Sequence, residues 1–249
     1  MSGVNLIMNS YNYIKEILND CPDFGLDMRN IKFKKLTSGK TNQSFLIEDD
    51  LKKYVLSLNS KKSHNYNIDR QRELKILNSI KDKSIGPKVV YCDQEYNFLI
   101  TEFIKGTPLS LDKISCQDNK YLNDMIDKYQ KIKINIPKFN YLEHFKKYEI
   151  FISKNSYIDL RLLKKLDNFY PYLEDFQNQD WKPVLCHHDL SSLNIIKTNN
   201  GLRILDWEYS AYGHADFDKK YTRLSKTKDN FFDDLFGILD ELWFLINDI

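Results

Sequence analysis

The sequence predicts an α+β protein with two lobes: a lobe built on a small antiparallel β-sheet, then a mainly helical lobe. Short alternating or β-branched runs separated by turn residues dominate the first hundred residues, whereas amphipathic runs dominate the remainder. A strand-like island containing an Asn200-Gly201 turn interrupts the helical part. This order places the first predicted lobe at residues 1–104 and the second at residues 105–249.

In the first lobe, apolar residues at helical spacing predict a leading helix within residues 4–19. The runs IKFKKL, SFLIED and KYVLSL are typical of strands, and SGKTNQ and EDDLK are typical of the turns between them. A helix is expected over residues 66–80. Two further strands are expected in GPKVVYCD and NFLITEFI.

In the second lobe, helices are expected within residues 119–133, 140–153 and 158–178, with a last one at about 230–247. The runs VLCHHDL, NIIKT and LRILDW predict short strands. Asn200-Gly201 favours a tight hairpin between the last two of them, because a primed turn needs positive φ.

Bulk composition excludes several classes of function. The 249 residues include 37 basic and 35 acidic side chains, and a net charge of +2 gives no reason to expect nucleic acid or an anionic membrane as a partner. We expect no signal peptide and no membrane span. The four cysteines are scattered without a CxxC pair, which favours a cytoplasmic protein without a zinc cluster or disulfide framework. The sequence does not predict an oligomeric state.

The residues that carry chemistry lie in HHDLSSLN, at 187–194, and in ILDWE, at 204–208. Transfer of a phosphoryl group to a hydroxyl needs a carboxylate that accepts the hydroxyl proton, and Asp189 fits that role. It also needs a divalent cation to neutralise phosphate charge. Asn194 and Asp206 supply the hard oxygen ligands that Mg²⁺ prefers, and the intervening hairpin fixes their relation.

The HxDxxxxN run with a downstream strand ending in LDWEYS resembles the aminoglycoside phosphotransferase/choline kinase superfamily. GLRILDWEYS is most similar to its bacterial choline and thiamine kinase branch, and Asp218 in a G-x-x-x-F-D context extends the resemblance. It implies a protein-kinase-like fold and an ATP:alcohol O-phosphotransferase that uses ATP and Mg²⁺. Asp189 would be the base, Asn194 and Asp206 would bind the metal, and His187 would order the catalytic loop.

The nucleotide-binding half of the resemblance begins at LTSGKTNQ, which resembles a strand-joining phosphate loop. Gly39 would let the backbone approach phosphate, while Thr41 and Asn42 would offer donors. An ordinary hairpin turn is the alternative reading. The segment is not a Walker loop, because GxxxxGK[ST] is absent.

Two further segments belong to the same half. Glu73, in DRQRE, resembles the helix glutamate that pairs with a basic strand residue on the α and β phosphates, although a solvated helix face explains it equally well. The run ITEFIKG resembles the connector between lobes. Its backbone at Glu102, Phe103 and Ile104 would bind adenine.

One position departs from the family. The strand that normally ends YVLR or VVLK reads YVLS, so that Ser57 stands where the basic residue is expected. The loss leaves Glu73 without its usual partner and keeps a nucleotide-binding pseudokinase as an alternative. Four basic residues are candidates to substitute: Lys40, Lys53, Lys61 and Arg70.

The resemblance implies a small cationic alcohol as acceptor, choline or thiamine, which aromatic faces and carboxylates would recognise. Trp207, Glu208 and Tyr209 are the candidate substrate residues. Trp243 is another candidate, with a core position as the alternative. An aminoglycoside-type acceptor stays open, because the last helix is acidic. A metal-dependent hydrolase is poorly supported, because the sequence has no i,i+4 histidine pair.

Overall fold

The structure is a computed structural model that describes residues 12–19, 21, 26–27, 29–38, 41–61, 63–224 and 230–248. Internal contacts divide the chain into two compact units. The first comprises Met1–Ser60 and Lys88–Phe103, and the second comprises Lys61–Pro87 and Ile104–Ile249. The segment 61–87, which the sequence-based division puts in the first lobe, groups with the second unit. The division at residue 104 stays a prediction.

The first unit is an antiparallel sheet with one helical segment. Its strands follow the order β1-β2-β3-β5-β4; they are β1 (Lys32–Ser38), β2 (Asn42–Glu48), β3 (Lys53–Asn59), β4 (Val89–Cys92) and β5 (Phe98–Glu102). Residues 12–19 are helical (α1), and Ile14 and Leu18 bury their side chains in the same core as Phe45, Leu56 and Ile100. The rest of the helix predicted for 4–19 lies outside the described residues.

The second unit is mainly helical and contains two small sheets, β6-β8-β9 and β7-β10. Its helices are α2 (Arg70–Ile80), α3 (Cys116–Gln130), α4 (Tyr141–Asn155), α5 (Leu160–Asn178), α6 (Phe217–Tyr221) and α7 (Asn230–Asp248). Its strands are β6 (Thr107–Pro108), β7 (Val184–Cys186), β8 (Ile195–Thr198), β9 (Gly201–Ile204) and β10 (Ala211–Gly213).

Side-chain caps explain where the helices begin. The Ser115 side chain accepts a hydrogen bond from the Asp118 amide, so α3 begins at Cys116, three residues before the predicted start at residue 119. Asp69 accepts a hydrogen bond from the Arg72 amide, so α2 begins at Arg70 and not at residue 66. Asn140 and Asp159 cap α4 and α5 in the same way. Capping by a short polar side chain therefore overrides the apolar periodicity that set the predicted boundaries.

The strand island positions the chemical residues. β7 ends immediately before His187, β8 begins immediately after Asn194, and β9 ends two residues before Asp206. The predicted β8–β9 hairpin is present, but its turn residues are Asn199 and Asn200, not Asn200 and Gly201; Gly201, with a φ of 104°, is the first residue of β9. The small antiparallel sheet and the mainly helical second unit confirm the predicted α+β class. None of the helices in the described part of the chain combines the length and apolar character that a membrane crossing requires, and the cytoplasmic location stays a prediction.

Gly106 gives a test of the packing beside β8. A Cβ at this position would lie 2.4 Å from the Lys197 carbonyl oxygen and 2.5 Å from Ile196 Cγ2. Gly106→Ala should lower the free energy of unfolding by about 1–3 kcal/mol, measured by urea denaturation. The control is Gly237→Ala in α7, where a Cβ meets no atom within 4 Å; it should raise stability by about 0.5–1 kcal/mol. A Gly106→Ala protein as stable as the parent would contradict this account.

Candidate active site

The predicted base and one predicted metal ligand are hydrogen bonded to each other. Asn194 Nδ2 donates to the Asp189 carboxylate and to the Asp189 carbonyl oxygen, both at 2.9 Å. Both bonds use the amide nitrogen of Asn194, so its side-chain oxygen is the atom suited to a hard cation. The five-residue spacing in the sequence thus brings the two functional groups together on one loop.

Asp189 has the electrostatics of a proton acceptor. Burial of its carboxyl raises the pKa to about 7, and the nearby Glu208 carboxylate adds to the shift. Hydrogen bonds from Asn194 and Tyr221 act in the opposite direction, because they stabilise the charged form. A carboxyl group with a pKa near neutrality can take a proton from an alcohol and release it again.

His187 links this loop to the strand that leads to Asp206. Its Nε2 lies 2.8 Å from the Leu205 carbonyl oxygen, and its Nδ1 accepts from the Asp189 amide at 3.3 Å. A carbonyl can only accept, so Nε2 carries the proton and the ring is neutral. Burial lowers the pKa of His187 to about 4, which agrees with that tautomer. These contacts orient the Asp189 backbone and leave both ring nitrogens occupied.

Asp218 holds the same loop from the core. Its buried carboxylate accepts from the Tyr129 hydroxyl at 2.6 Å and from the backbone amides of His187 at 2.8 Å and His188 at 3.1 Å. His188 has a φ of 66°, a conformation that costs energy for a residue with a Cβ. The hydrogen bonds from the two backbone amides to Asp218 hold His188 in this conformation, as does the stacking of its ring on Phe139, at 4.5 Å between ring centroids.

Asp206, the second predicted metal ligand, also has a left-handed backbone, with a φ of 59°. The residue is exposed to solvent, although many protein atoms lie near its carboxyl group. That crowding, together with the carboxylates of Glu208, Glu73 and Asp189, raises the pKa of Asp206. A divalent cation bound here would offset the repulsion.

The donor set fits magnesium and not zinc. Among the described residues, no three His, Cys, Asp or Glu side chains converge on a point that could hold a metal ion. The oxygens of Asn194 and Asp206 would be two protein ligands, which is the usual number where phosphates and water complete the shell of Mg²⁺. The hydrolase alternative is disfavoured further because His187 uses both ring nitrogens and His188 Nε2 lies 3.0 Å from the Tyr141 hydroxyl.

Glu73 and Glu208 form a buried ion-pair network with Arg70. Arg70 Nη1 lies 2.8 Å from Glu73 Oε2 and 2.9 Å from Glu208 Oε2, and its Nη2 donates to Ser63 Oγ at 3.3 Å. Burial raises the pKa of Glu73, and the Arg70 charge opposes that shift. Of the four candidates to replace the missing strand cation, Arg70 is the one bound to Glu73. Lys53 pairs with Glu48, and Lys40 lies outside the described residues.

An aromatic pocket opens beside Asp189 within the second unit. It encloses about 710 Å³, part of it open to solvent, and two carboxylates, Asp189 and Asp240, line it. Tyr148, Tyr209 and Tyr221 also line the pocket, as does Trp243, whose ring lies 6.0 Å from the Tyr209 ring and 6.4 Å from the Tyr148 ring. The other lining residues are Phe139, Tyr141, His144, Phe145, His188, Phe217, Leu235 and Leu239.

The three predicted substrate residues are placed differently. Tyr209 lines the pocket. Trp207 is fully buried, donates from Nε1 to the Ile204 carbonyl at 3.0 Å, and packs edge-on against His187. Glu208 is bound by Arg70. Tyr148 and Tyr221 were not among the residues predicted from the sequence, and Asp240 was indicated only as one of the acidic residues of the last helix.

The predicted nucleotide residues of the first unit are only partly described, and Gly39 lies outside the described residues. Thr41 is buried and its carbonyl accepts from the Ser60 amide at 2.9 Å, while Asn42 begins β2 opposite Asn59. In the connector, the amides of Glu102 and Phe103 donate to the carbonyls of Lys88 and Lys53. These two amides are therefore engaged within the sheet.

The fold and the residues around Asp189 define a phosphotransferase with kinase-like architecture. Residues 33–219 match the model of the choline/ethanolamine kinase family. The chain belongs to the choline/ethanolamine kinase family and is an ATP-dependent kinase of small molecules. The superfamily resemblance carried by the catalytic loop and LDWEYS is confirmed.

Individual relatives agree with the family. The chain is 24% identical over 220 residues to the protein LicA homolog of Mycoplasma capricolum subsp. capricolum, covering 86% of this chain and 84% of that protein. Choline kinase LicA from Streptococcus pneumoniae superimposes with a TM-score of 0.75 at 19% identity, covering 96% of this chain and 90% of that one. An ethanolamine kinase from Plasmodium vivax has a TM-score of 0.69 at 23% identity, covering 91% and 73%. At these identities the two structures establish the shared fold.

Asp218 provides a test of how the catalytic loop is held. Asp218→Ala leaves two buried backbone amides and the Tyr129 hydroxyl without their acceptor. The free energy of unfolding should fall by about 2–5 kcal/mol in urea denaturation. The matched control is the exposed neighbour, Asp216→Ala, which should stay within about 0.5 kcal/mol of the parent. Equal stability of the two variants would refute the anchoring role.

Proposed function

We propose that this kinase transfers the γ-phosphoryl group of ATP to the hydroxyl of choline. The observation that carries the proposal is the aromatic pocket beside Asp189, with Tyr148, Tyr209, Tyr221 and Trp243 in its lining. A quaternary ammonium group cannot donate hydrogen bonds, so aromatic faces and carboxylates are the groups that recognise it. The family and the choline kinase named among the similar structures support the same acceptor class.

Charge in the pocket favours a cationic alcohol. Asp240 lies on α7 and Asp189 on the catalytic loop, and both face the pocket. A bound cation with a short hydroxyl-bearing arm can place its charge among the aromatic rings while its hydroxyl reaches Asp189. Tyr209 keeps its predicted substrate role in this proposal. Trp207 and Glu208 are left out of the acceptor site, because their side chains are buried against other protein groups.

In the proposed reaction, the Asp189 carboxylate accepts a hydrogen bond from the acceptor hydroxyl and takes its proton as the oxygen attacks the γ-phosphorus of ATP. The bond from that phosphorus to the bridging oxygen of ADP breaks as the new phosphorus–oxygen bond forms. Asn194 holds the Asp189 carboxylate, and His187 holds its backbone. Mg²⁺, bound by Asn194 and Asp206, would neutralise the phosphate oxygens when present.

ATP binding by the remaining predicted residues is part of the proposal. Gly39, Thr41 and Asn42 would line the phosphates. In the connector, the engaged amides of Glu102 and Phe103 leave the Glu102 carbonyl and the Ile104 amide as the groups suited to adenine. The Glu102 carbonyl points away from β3, because Phe103 makes the bond to that strand and peptide groups alternate in direction along a strand.

Asp189→Asn tests the base. The amide keeps the size of the side chain but cannot take a proton, so turnover of choline should fall on the order of 10²- to 10⁴-fold. Circular dichroism and thermal unfolding should show a folded protein, since Asp189 serves the reaction more than the core. Asp189→Ala should behave in the same way. Full turnover in either variant would defeat the assignment.

Asp240→Asn tests the acceptor class. Loss of this half-exposed carboxylate should raise KM for choline about two- to fivefold with little change in kcat, and Asp234→Asn on the exposed face of α7 should leave both constants unchanged. The parent should also be screened for ADP formation with choline, ethanolamine, thiamine, homoserine and an aminoglycoside. Phosphorylation of the aminoglycoside in preference to choline would overturn the proposal.

A further inference from the structure

We propose that Arg70 is the positioning residue that holds the metal-binding turn in this chain, in place of the strand cation that is absent at position 57. The inference rests on the proposed function only in taking Asp206 as a magnesium ligand. It concerns a cation that lies on α2, one residue after the cap of that helix.

Position 57 is occupied by an uncharged residue, Ser57. Ser57 lies in the middle of β3, opposite Ser44 on one side and Leu99 on the other, and its Oγ is 3.4 Å from Ser44 Oγ. A serine hydroxyl carries no charge, so position 57 does not supply the cation that the family resemblance leads one to expect for Glu73. Any cation that stabilises Glu73 has to come from another position.

Arg70 supplies that cation and reaches a second carboxylate with the same nitrogen. The side chains of Arg70, Glu73 and Glu208 are 9%, 10% and 3% exposed, and Nη1 lies within 2.9 Å of both carboxylates. Glu73 and Arg70 are three residues apart on one helix, whereas Glu208 comes from a segment 138 positions away. The guanidinium therefore joins α2 to the turn that follows β9.

The backbone of that turn is strained at Asp206 and depends on neighbouring residues to keep its conformation. Asp206 has a φ of 59°, and its strained backbone persists only if neighbouring residues fix it. Trp207 fixes one side by packing in the core and bonding to Ile204. Glu208 is the next residue, and a buried carboxylate stays in place only while a cation or donor pairs with it. Arg70 therefore sets where Asp206 presents its oxygens.

In the family resemblance, one strand cation both pairs with the helix glutamate and binds the phosphates, and here these two roles are separated. Arg70 is too enclosed to lie against phosphates, since only 9% of its side chain is exposed. Its charge acts on Glu73 and Glu208 and, at longer range, on Asp206, where it lowers the pKa of the carboxyl group. Neutralisation of phosphate charge then falls to groups other than Arg70, the divalent cation among them. The Arg70 guanidinium consequently links the metal-binding turn to the helix glutamate.

The test is calorimetric titration of magnesium with a non-hydrolysable ATP analogue, which needs no acceptor. Arg70→Met should raise Kd about 10- to 100-fold, the usual effect of removing a group that orients a metal ligand. Arg70→Lys keeps the charge and should recover most of that loss. Lys197→Met, which breaks a 2.7 Å ion pair with Asp118 in the same unit, is the matched control and should leave Kd unchanged.

Folding is controlled by a second variant. Arg70→Met removes the guanidinium that pairs with the two buried carboxylates and will lower the thermal midpoint, so Arg70→Met/Glu73→Gln also removes one carboxylate charge. The double variant should regain part of the midpoint while Kd stays raised. Recovery of Kd together with the midpoint would reduce Arg70 to a stabilising role and overturn the proposal, as would a parental Kd in Arg70→Met. A parent that binds the magnesium nucleotide but leaves choline unphosphorylated would instead refute the choline assignment.

Discussion

The second unit gathers four carboxylates, those of Glu73, Asp189, Asp206 and Glu208, and their mutual repulsion is the constraint around which the site is built. Burial and Glu208 raise the pKa of Asp189, and the protein atoms near the Asp206 carboxyl group, together with Glu208, raise the pKa of Asp206, so each added negative charge is unfavourable to the others. Arg70 binds two of the four. The remaining excess of negative charge is well matched to a divalent cation and to a cationic acceptor.

Geometry at the site is imposed from the core outward. The residue before the base and the proposed metal ligand on the next segment, His188 and Asp206, both have positive φ. Such conformations recur at functional sites and persist where buried contacts over-determine them. Here Asp218 fixes the first by bonding its amide, and Trp207 fixes the second by packing inside the unit. The reactive carboxylates can therefore stay accessible while their backbones are held by groups that never meet a substrate.

The sequence predicted well those parts of the site that depend on local spacing. Asp189 and Asn194 are five residues apart on one loop, and a short hairpin sets the distance to Asp206, so residue types and intervals suffice to indicate their chemistry. The fold class followed from the same kind of local evidence, the change from strand-like to helix-like periodicity. Helix starts were missed by one to four residues where caps such as Asp69 decided them.

Contacts between distant segments were beyond the reach of the sequence. The Arg70–Glu208 pair spans 138 positions, and no local pattern indicates which of several basic residues reaches a given carboxylate. The aromatic pocket draws its lining from α4, α6 and α7 as well as from the loop, so tertiary packing alone decides that Trp243 faces it. Trp207 and Tyr209 illustrate the same limit: they are two positions apart in an equally aromatic motif, yet one is in the core and the other lines the pocket.

The neutral ring of His187 makes its hydrogen bonds insensitive to mild acidification. Because burial lowers its pKa to about 4, this histidine keeps the same tautomer throughout the neutral pH range. The link between the loop of Asp189 and the Leu205 carbonyl is therefore insulated from proton concentration. A histidine is commonly the pH-sensitive element of a protein; here it acts as a fixed spacer, and sensitivity to protons is left to the carboxylates.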